Sequence, residues 1–415
     1  MTEAGARPPR ILYVVSLFPC WSETFIAREI ATLVARGADV RILSLKAPSE
    51  ALVQPAAAAL LQRVRHPLPR AAALAARARG LAAAPAAFAT IAGRLAARLV
   101  GRPVELAKSL EALARGAEQL AWARAFDPDV IHAHWGTYPS TAAWALARAL
   151  GKPFGFTTHA HDIFVHDHLL AEKIAAAAVP VTISRFNVEW LATHATPDAR
   201  ARLSVVHCGV DLAALPFRAE GREPGTILAV GRLDAIKGFD VLVEAVALLA
   251  RQGRRVRCRV IGAGPREGDL RARVERLELG ATFELAGARP EPEVRAALAA
   301  ASVFVLPSVV TPSGDRDGIP VSLMEAMAAG TPVVSTRVSG IPELVEDERE
   351  GLLVPERDAP ALAEALARLL DDPALGARLA EAARAKVERE FDAAREAGKL
   401  LELFVDLFAA RAGVA

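Results

Sequence analysis

Short β-branched runs alternate with longer helical patterns along nearly the whole chain, and this alternation points to parallel sheets with crossover helices. In the first half the strand patterns fall at residues 11–16, 40–45, 129–134, 153–158, 179–184 and 203–208. A stretch rich in breakers follows at 211–225, with Pro216, Gly221, Pro224 and Gly225. A second set runs through 226–230, 257–261, 282–286, 302–307, 332–336 and 351–354, and helical patterns from about 360 to 410 close the chain. At 415 residues the chain exceeds one ordinary core and suits two domains of roughly 200 residues each. Two doubly wound α/β domains joined near 212–225 are therefore expected. In such sheets ligands bind outside the carboxyl ends of the strands, so the loops after each strand are where chemistry is sought.

Composition narrows the function classes. Hydrophobic residues make up 53% and charged residues 24%, which excludes a disordered chain. A net charge of +2 gives no ground for a nucleic-acid partner. Cys20, Cys208 and Cys258 are odd in number and far apart, which argues against a disulfide framework or a cysteine zinc site and fits a reducing cytosol. The opening MTEAGARPPR runs into an apolar strand without a signal-peptide core. The longest uncharged alanine-rich stretch, 80–93, has 14 residues, whereas spanning a membrane takes about 20.

One segment stands apart. Residues 51–104 carry eight arginines and no Asp or Glu, a formal charge of +8. The pattern reads as two or three amphipathic helices within an insertion at 51–120. Such a segment is either a solvated arginine face or a surface that rests on anionic lipid, with leucines, Phe88 and Ile91 on its apolar side.

Two motifs carry chemistry. Gly231-Arg-Leu-Asp-Ala-Ile-Lys-Gly238 follows directly on the strand pattern 226–230. Glycine lets a diphosphate approach the backbone, Arg232 offers a bidentate fork and Lys237 a point charge; the structural alternative is a turn with two surface cations. The second motif, Asp317-Gly-Ile-Pro-Val-Ser-Leu-Met-Glu325, leads to Gly330. Pro320 suits the first turn of a helix and Gly330 its end, which sets Asp317 before the helix and Glu325 inside it. Backbone N–H groups around Ile319, Val321 and Ser322 would then face an anion. Glu325 lies among apolar neighbours, and a buried carboxylate there needs partners that ribose hydroxyls would supply; the alternative is an exposed helix glutamate.

Together and in this order the two motifs resemble the signature of the retaining glycosyltransferase family 4 (glycosyl group 1). Further matches run across nearly the whole chain: Ser22-Glu-Thr-Phe-Ile26, Asp129-Val-Ile-His-Ala-His134, His159-Ala-His-Asp162, Ile183-Ser-Arg-Phe-Asn187, His207-Cys-Gly-Val-Asp211, Ile261-Gly-Ala-Gly264, Leu306-Pro-Ser308 and Gly340-Ile-Pro-Glu343. The pattern is most similar to exopolysaccharide or colanic-acid-type members. The resemblance implies the GT-B fold, two doubly wound Rossmann-like domains facing a cleft, with C-terminal helices returning toward the first domain. It sets an acceptor domain at 1–215, a donor domain at 216–385 and a final helix at 386–415. It also implies retaining transfer from a UDP- or GDP-sugar co-substrate to a glycan or lipid-linked acceptor, with no cofactor and no metal. The place implied is the cytoplasm, in peripheral contact with the inner face of the membrane.

Residue by residue, the resemblance places Arg232 and Lys237 on the donor diphosphate, Glu325 on the ribose and Asp317 on the donor sugar. Asp317 stands where the family has Glu, with the spacing to Glu325 kept. Gly231, Gly264, Arg289, Gly318, Ile319, Val321 and Ser322 complete the implied donor set. His159 would face the donor sugar, and Ser22, Glu23, Thr24 and Asp162 the acceptor. All nine histidines lie at or before His207, and the alternating pairs His132/His134 and His159/His161 also allow a metal reading. Two rivals share the architecture: an epimerase that converts a nucleotide sugar without an acceptor, and a degenerate nucleotide-sugar-binding protein.

Overall fold

The computed structural model describes residues 7–48, 53–165, 169–218 and 220–412; residues 51 and 52, where the basic segment begins, lie outside that set. Among the described residues thirteen strands form two sheets, every neighbouring pair parallel. The first holds β1 (Arg10–Leu17), β2 (Asp39–Lys46), β3 (Val64–Arg65), β4 (Val130–His134), β5 (Phe154–Thr158), β6 (Val179–Thr182) and β7 (Ser204–Val205), in the order β3-β2-β1-β4-β5-β6-β7. The second holds β8 (Glu223–Val230), β9 (Arg257–Ile261), β10 (Phe283–Leu285), β11 (Ala301–Leu306), β12 (Val333–Thr336) and β13 (Leu352–Val354), in the order β10-β9-β8-β11-β12-β13. Each sheet is doubly wound. The strand order reverses between β1 and β4 in one and between β8 and β11 in the other, and these switch points leave crevices at the carboxyl ends.

Every expected strand forms, shortened at some ends. The pattern missed only β3, whose two residues are too short for any periodicity to register.

The chain divides into two compact units, Met1–Val206 with Ala394–Ala415, and His207–Ala393. The division falls ahead of the 212–225 stretch for a physical reason. Val210 N–H donates to the Phe391 carbonyl at 2.9 Å, and Leu215 is buried in the second core. At the other end, Leu375, Leu379, Ala383 and Val387 hold the Pro373–Glu390 helix in that same core, beyond the expected limit at 385. The last helix, Ala393–Ala412, buries Ala397, Leu400 and Phe404 against Ile11, Tyr13 and Ile30 of the first unit.

The basic segment folds into helices Arg70–Ala83 and Pro85–Leu99, set at 100° to each other and packed on the helix Pro103–Phe126. Much of its charge is answered by residues outside the 51–104 window. Arg77 binds Glu111 and Glu118, Arg63 reaches Asp39, Arg102 lies 3.7 Å from Glu105, Arg65 donates to Gln119, and Arg94 sits over the Trp144 ring. The formal +8 therefore overstates the field at this surface. No single helix among the described residues is long and apolar enough to cross a membrane.

All five tryptophans belong to the first unit, so their fluorescence reports on that unit alone. Phe404 is fully buried, its ring edge-on to His132 at 5.3 Å. Phe404→Ala should lower the tryptophan-reported stability by about 3–5 kcal/mol in urea titration, as deletion of a core aromatic does. A loss below about 1 kcal/mol would mean that the last helix does not support the first core.

Candidate active site

In the second unit the expected donor residues lie on loops at the carboxyl ends of β8, β9, β10 and β11, except Val321, Ser322 and Glu325, which lie in the helix Val321–Ala328. Gly231 N–H closes onto the Ile261 carbonyl at 3.0 Å, and the 231–238 loop then folds over the β9 and β11 ends. Gly238 has φ +62°, and a Cβ there would sit 1.9 Å from the Pro307 carbonyl oxygen. Gly264 lies under the same loop, where a Cβ would fall 2.5 Å from the Leu233 oxygen. The fold itself thus demands glycine at both positions.

Lys237 and Asp317 meet across the switch point, Nζ to Oδ1 at 2.6 Å. The other Asp317 oxygen accepts from the Ser308 hydroxyl at 2.6 Å, and the Ser308 carbonyl accepts from Thr336 Oγ1. Asp317 is only 7% exposed, so losing either partner of this pair would strand a mostly buried charge, at a cost of about 3–5 kcal/mol. Arg232 remains exposed, with Asp234 at 3.7 Å. Helix Val321–Ala328 starts one residue later than expected, and Pro320 caps it from outside. Leu323 and Met324 donate to the Pro320 carbonyl, so the amides of Val321 and Ser322 precede the intrahelical ladder. Gly318 and Ile319 are buried beside them, and Glu325 is half-buried within the helix. Arg289 stands in the loop after β10, with Glu293 at 3.9 Å.

In the first unit a buried polar cluster occupies the carboxyl ends of β1, β4 and β5. His134 Nε2 lies 3.0 Å from Glu29 Oε1, and His134 Nδ1 lies 3.0 Å from His159 Nε2. Tyr13 donates its hydroxyl to the same Glu29 oxygen at 2.7 Å, while His132 pairs with Thr157 at 2.9 Å. The ring of His159 is flanked by Trp135 at 4.5 Å and Phe25 at 5.0 Å. Phe25 thus brings the Ser22-Glu23-Thr24 segment toward His159; Ser22 itself is exposed, and Glu23 precedes helix Thr24–Ala35. Trp135 has φ +79°, a strained conformation for a bulky residue, and its indole N–H is buried without an acceptor.

Asp162, expected at the acceptor, has a structural task in this fold. Its buried carboxylate accepts from Gly136 N–H at 2.6 Å and from His159 N–H at 3.0 Å, which ties the β4 and β5 loops together. Asn187 completes the frame by donating to the His159 carbonyl at 2.6 Å, its own N–H held by the Ser184 cap. Lys173, fully buried, donates to the carbonyls of Gly136 and Thr137.

Burial sets the titration of this cluster. It pushes His132 down to about 3, helped by repulsion from His134, and it drives His159 well below the ordinary histidine range for the same two reasons together with His132. Burial also raises Asp162, against the backbone N–H groups that favour its charge. Burial would raise Glu29 too, but attraction to His134 outweighs it and holds the carboxylate below its usual value. Among the described residues no group of three or more His, Cys, Asp or Glu side chains is arranged to hold a metal ion.

Sequence reasoning missed Tyr13, Glu29, Trp135 and Lys173. Glu29 sits 105 residues from His134, and no local pattern marks such a pairing.

Residues 22–214 match the family model described as Glycosyltransferase Family 4, and residues 224–372 match that described as Glycosyl transferases group 1. The colanic acid biosynthesis glycosyltransferase WcaL, so named in Escherichia coli, is 46% identical over 198 residues, 46% of this chain and 48% of that protein. The amylovoran biosynthesis glycosyltransferase AmsK of Erwinia amylovora is 41% identical over 206 residues, 48% of this chain and 51% of that protein. The chain thus spans about half the length of these curated relatives. Sucrose-phosphate synthase from Thermosynechococcus elongatus superimposes with a TM-score of 0.73 at 22% identity, covering 97% of this chain and 100% of that one. Anabaena HepE, solved with UDP-glucose, gives 0.68 at 17% identity, over 96% and 99%. These likenesses show the expected GT-B fold, two parallel-sheet Rossmann-like domains.

Neutral burial of His132 and His159 has a measurable sign. Their folded pKa values lie below the unfolded value of about 6.5, so the unfolded chain binds the extra protons as pH falls. The stability this contributes is complete above about pH 6.5 and is lost as pH falls from there, for His132 until about pH 3, by roughly 1.4 kcal/mol per pH unit for each histidine still neutral in the fold. Urea midpoints read by tryptophan fluorescence should fall clearly between pH 7.5 and pH 5. An unchanged midpoint would show that these rings take up protons while folded.

Proposed function

The chain belongs to glycosyltransferase family 4, the group 1 glycosyl transferases, and on that premise we propose that it moves a sugar from a nucleotide-diphosphate donor to a glycan acceptor in cell-surface polysaccharide assembly. The observation that carries this reading is the meeting of Lys237 and Asp317 across the β8/β11 switch point, with Arg232 exposed on the same loop. Gly231 adds support. A Cβ there would make only ordinary contacts, 3.5 Å from Lys237 and Phe239, so the fold does not require glycine as it does at Gly238. Close approach of a diphosphate to the backbone accounts for it.

In this proposal Arg232 and Lys237 bind the diphosphate and stabilise the charge that develops as the glycosidic bond breaks, taking the part of a metal cation. The amides of Val321 and Ser322 add positive potential, and Glu325 receives the ribose hydroxyls. The sugar is transferred with retention, a leaving phosphate oxygen taking the acceptor's proton. The first unit recognises the acceptor through Ser22, Glu23 and Thr24, and His159 meets the sugar.

The acceptor proposed is lipid-linked, at the inner face of the cytoplasmic membrane. Seven of the eight large hydrophobic side chains found exposed among the described residues lie between residues 53 and 110, with Leu74 at 73% and Val100 at 79%. Arg70 and Arg79 are exposed on the helix that carries Leu74. An apolar surface with cations beside it suits anionic headgroups over acyl chains.

Calorimetry against UDP-, GDP-, ADP- and dTDP-sugars should show selective binding to one nucleotide. Arg232→Ala and Lys237→Ala should weaken it at least tenfold, about 1.4 kcal/mol each, Gly231→Ala should weaken it with stability intact, and the exposed control Arg251→Ala should not. Equal affinities throughout would refute the donor site, and conversion of the donor without any acceptor would make the protein an epimerase.

Flotation with liposomes should recover the protein on anionic vesicles and not on neutral ones, and Leu74→Asp with Val100→Asp should abolish recovery. Indifference to lipid charge, or to both substitutions, would remove the membrane from the proposal.

A further inference from the structure

Lys237 is held at both ends by one short stretch of chain, residues 307–309. On the main-chain side, Val309 N–H donates to the Ile236 carbonyl at 2.9 Å. Gly238 packs so closely on the same stretch that a Cβ there would also meet a Val309 methyl at 3.2 Å, besides the Pro307 oxygen. On the side-chain side, Lys237 Nζ donates to one Asp317 oxygen, and Ser308 Oγ donates to the other, each at 2.6 Å. Backbone and side chain of the lysine are thus referred to the same three residues, and its long stem is closed into a ring.

We propose that Ser308 is a positioning residue for donor binding, which acts through Asp317 to set Lys237 Nζ where a diphosphate is to bind. This rests on the reading of Lys237 as a ligand of the diphosphate. Ser308 is fully buried, so it meets no ligand itself. It is also firmly placed. Its N–H donates to the Leu306 carbonyl at 3.0 Å, and its own carbonyl accepts from Thr336 Oγ1 at 2.5 Å, with Thr336 only 1% exposed.

The second bond to Asp317 is what makes the ring stiff. A carboxylate tied to the lysine alone could turn about its own side-chain torsions and carry Nζ with it. Tied also to a buried hydroxyl at the end of β11, it has a fixed plane, and the lysine stem has fewer rotamers left to lose. Binding then costs less, because a side chain already ordered has less freedom to give up. In Ser308→Ala the carboxylate loses this reference, and the ligand must order the lysine itself.

The test joins calorimetry with carbon-13 relaxation of the Lys237 ε-methylene, assigned by its loss in Lys237→Ala. In the ligand-free wild type this methylene should be ordered, a readout that does not depend on how Ser308→Ala folds. In Ser308→Ala it should become mobile. Affinity for whichever of UDP, GDP, ADP and dTDP binds the wild type best should fall three- to tenfold, the scale of ordering one long side chain. The matching nucleoside, which has no phosphate for Lys237, should bind within twofold of its wild-type affinity. In a Lys237→Ala background the same substitution should matter less than twofold, since no lysine is left to position. A mobile methylene in the wild type would overturn the inference. So would a diphosphate affinity within twofold in Ser308→Ala, an equal loss for the nucleoside, or an undiminished loss when Lys237 is absent. A wild type that binds no nucleoside diphosphate, while its methylene loosens in Ser308→Ala, would instead refute the donor site and uphold the hold on Lys237.

Discussion

The constraint on which this structure depends is the reversal of strand order in each parallel sheet. A parallel pair cannot be joined by a tight turn, so each connection crosses the sheet on one face or the other. Where the crossings change face, between β1 and β4 and between β8 and β11, the flanking loops diverge and the carboxyl ends stay open. Both polar clusters lie at these two places. Lys237 and Asp317 come from loops after β8 and β11, and Tyr13 and His134 come from β1 and β4 themselves.

The two clusters solve the problem of buried polarity differently. In the second unit opposite charges meet directly, and hydroxyls of Ser308 and Thr336 take up the remaining acceptors. In the first unit one carboxylate serves a tyrosine and a histidine, side chains pair His134 with His159 and His132 with Thr157, and backbone groups meet the polar side chains of the surrounding loops. Asp162 and Lys173 bond main-chain N–H or C=O groups of the loops around His159, and the Asn187 amide donates both to the His159 carbonyl and to the Thr182 hydroxyl. A buried group left without a partner costs about 1–3 kcal/mol, so each of these bonds also fixes its loop in place.

How much of this could be read from the sequence follows from range. The strands were legible because period-two patterns are local, and β3 was not because two residues carry no period. The motifs proposed to bind the donor stood out because their residues sit within a few positions of one another, at 231–238 and 317–325. The Ser184 and Asn187 pair was visible as a motif, but its purpose emerges only when the Asn187 amide reaches His159, 28 positions away. The +8 of residues 51–104 misled by its window, because Glu111 and Glu118 lie just beyond it and turn back onto Arg77. Charge counted along a chain says little about charge in space when helices return on themselves.

The substitution of Asp for Glu at position 317 gains a physical meaning here. A glutamate would extend one methylene further from the same backbone position. The shorter aspartate instead has both oxygens engaged, one by Lys237 and one by Ser308, and is almost wholly buried. An ammonium has three donors, and Asp317 uses one of them, which leaves two for the proposed diphosphate. The carboxylate thus holds Lys237 in place on the switch-point loop without exhausting it. A point charge on a flexible four-carbon stem loses much entropy when a ligand must order it. In the donor site proposed above that cost is met in folding, before a diphosphate binds, which is the sense in which an electrostatic site is preorganised.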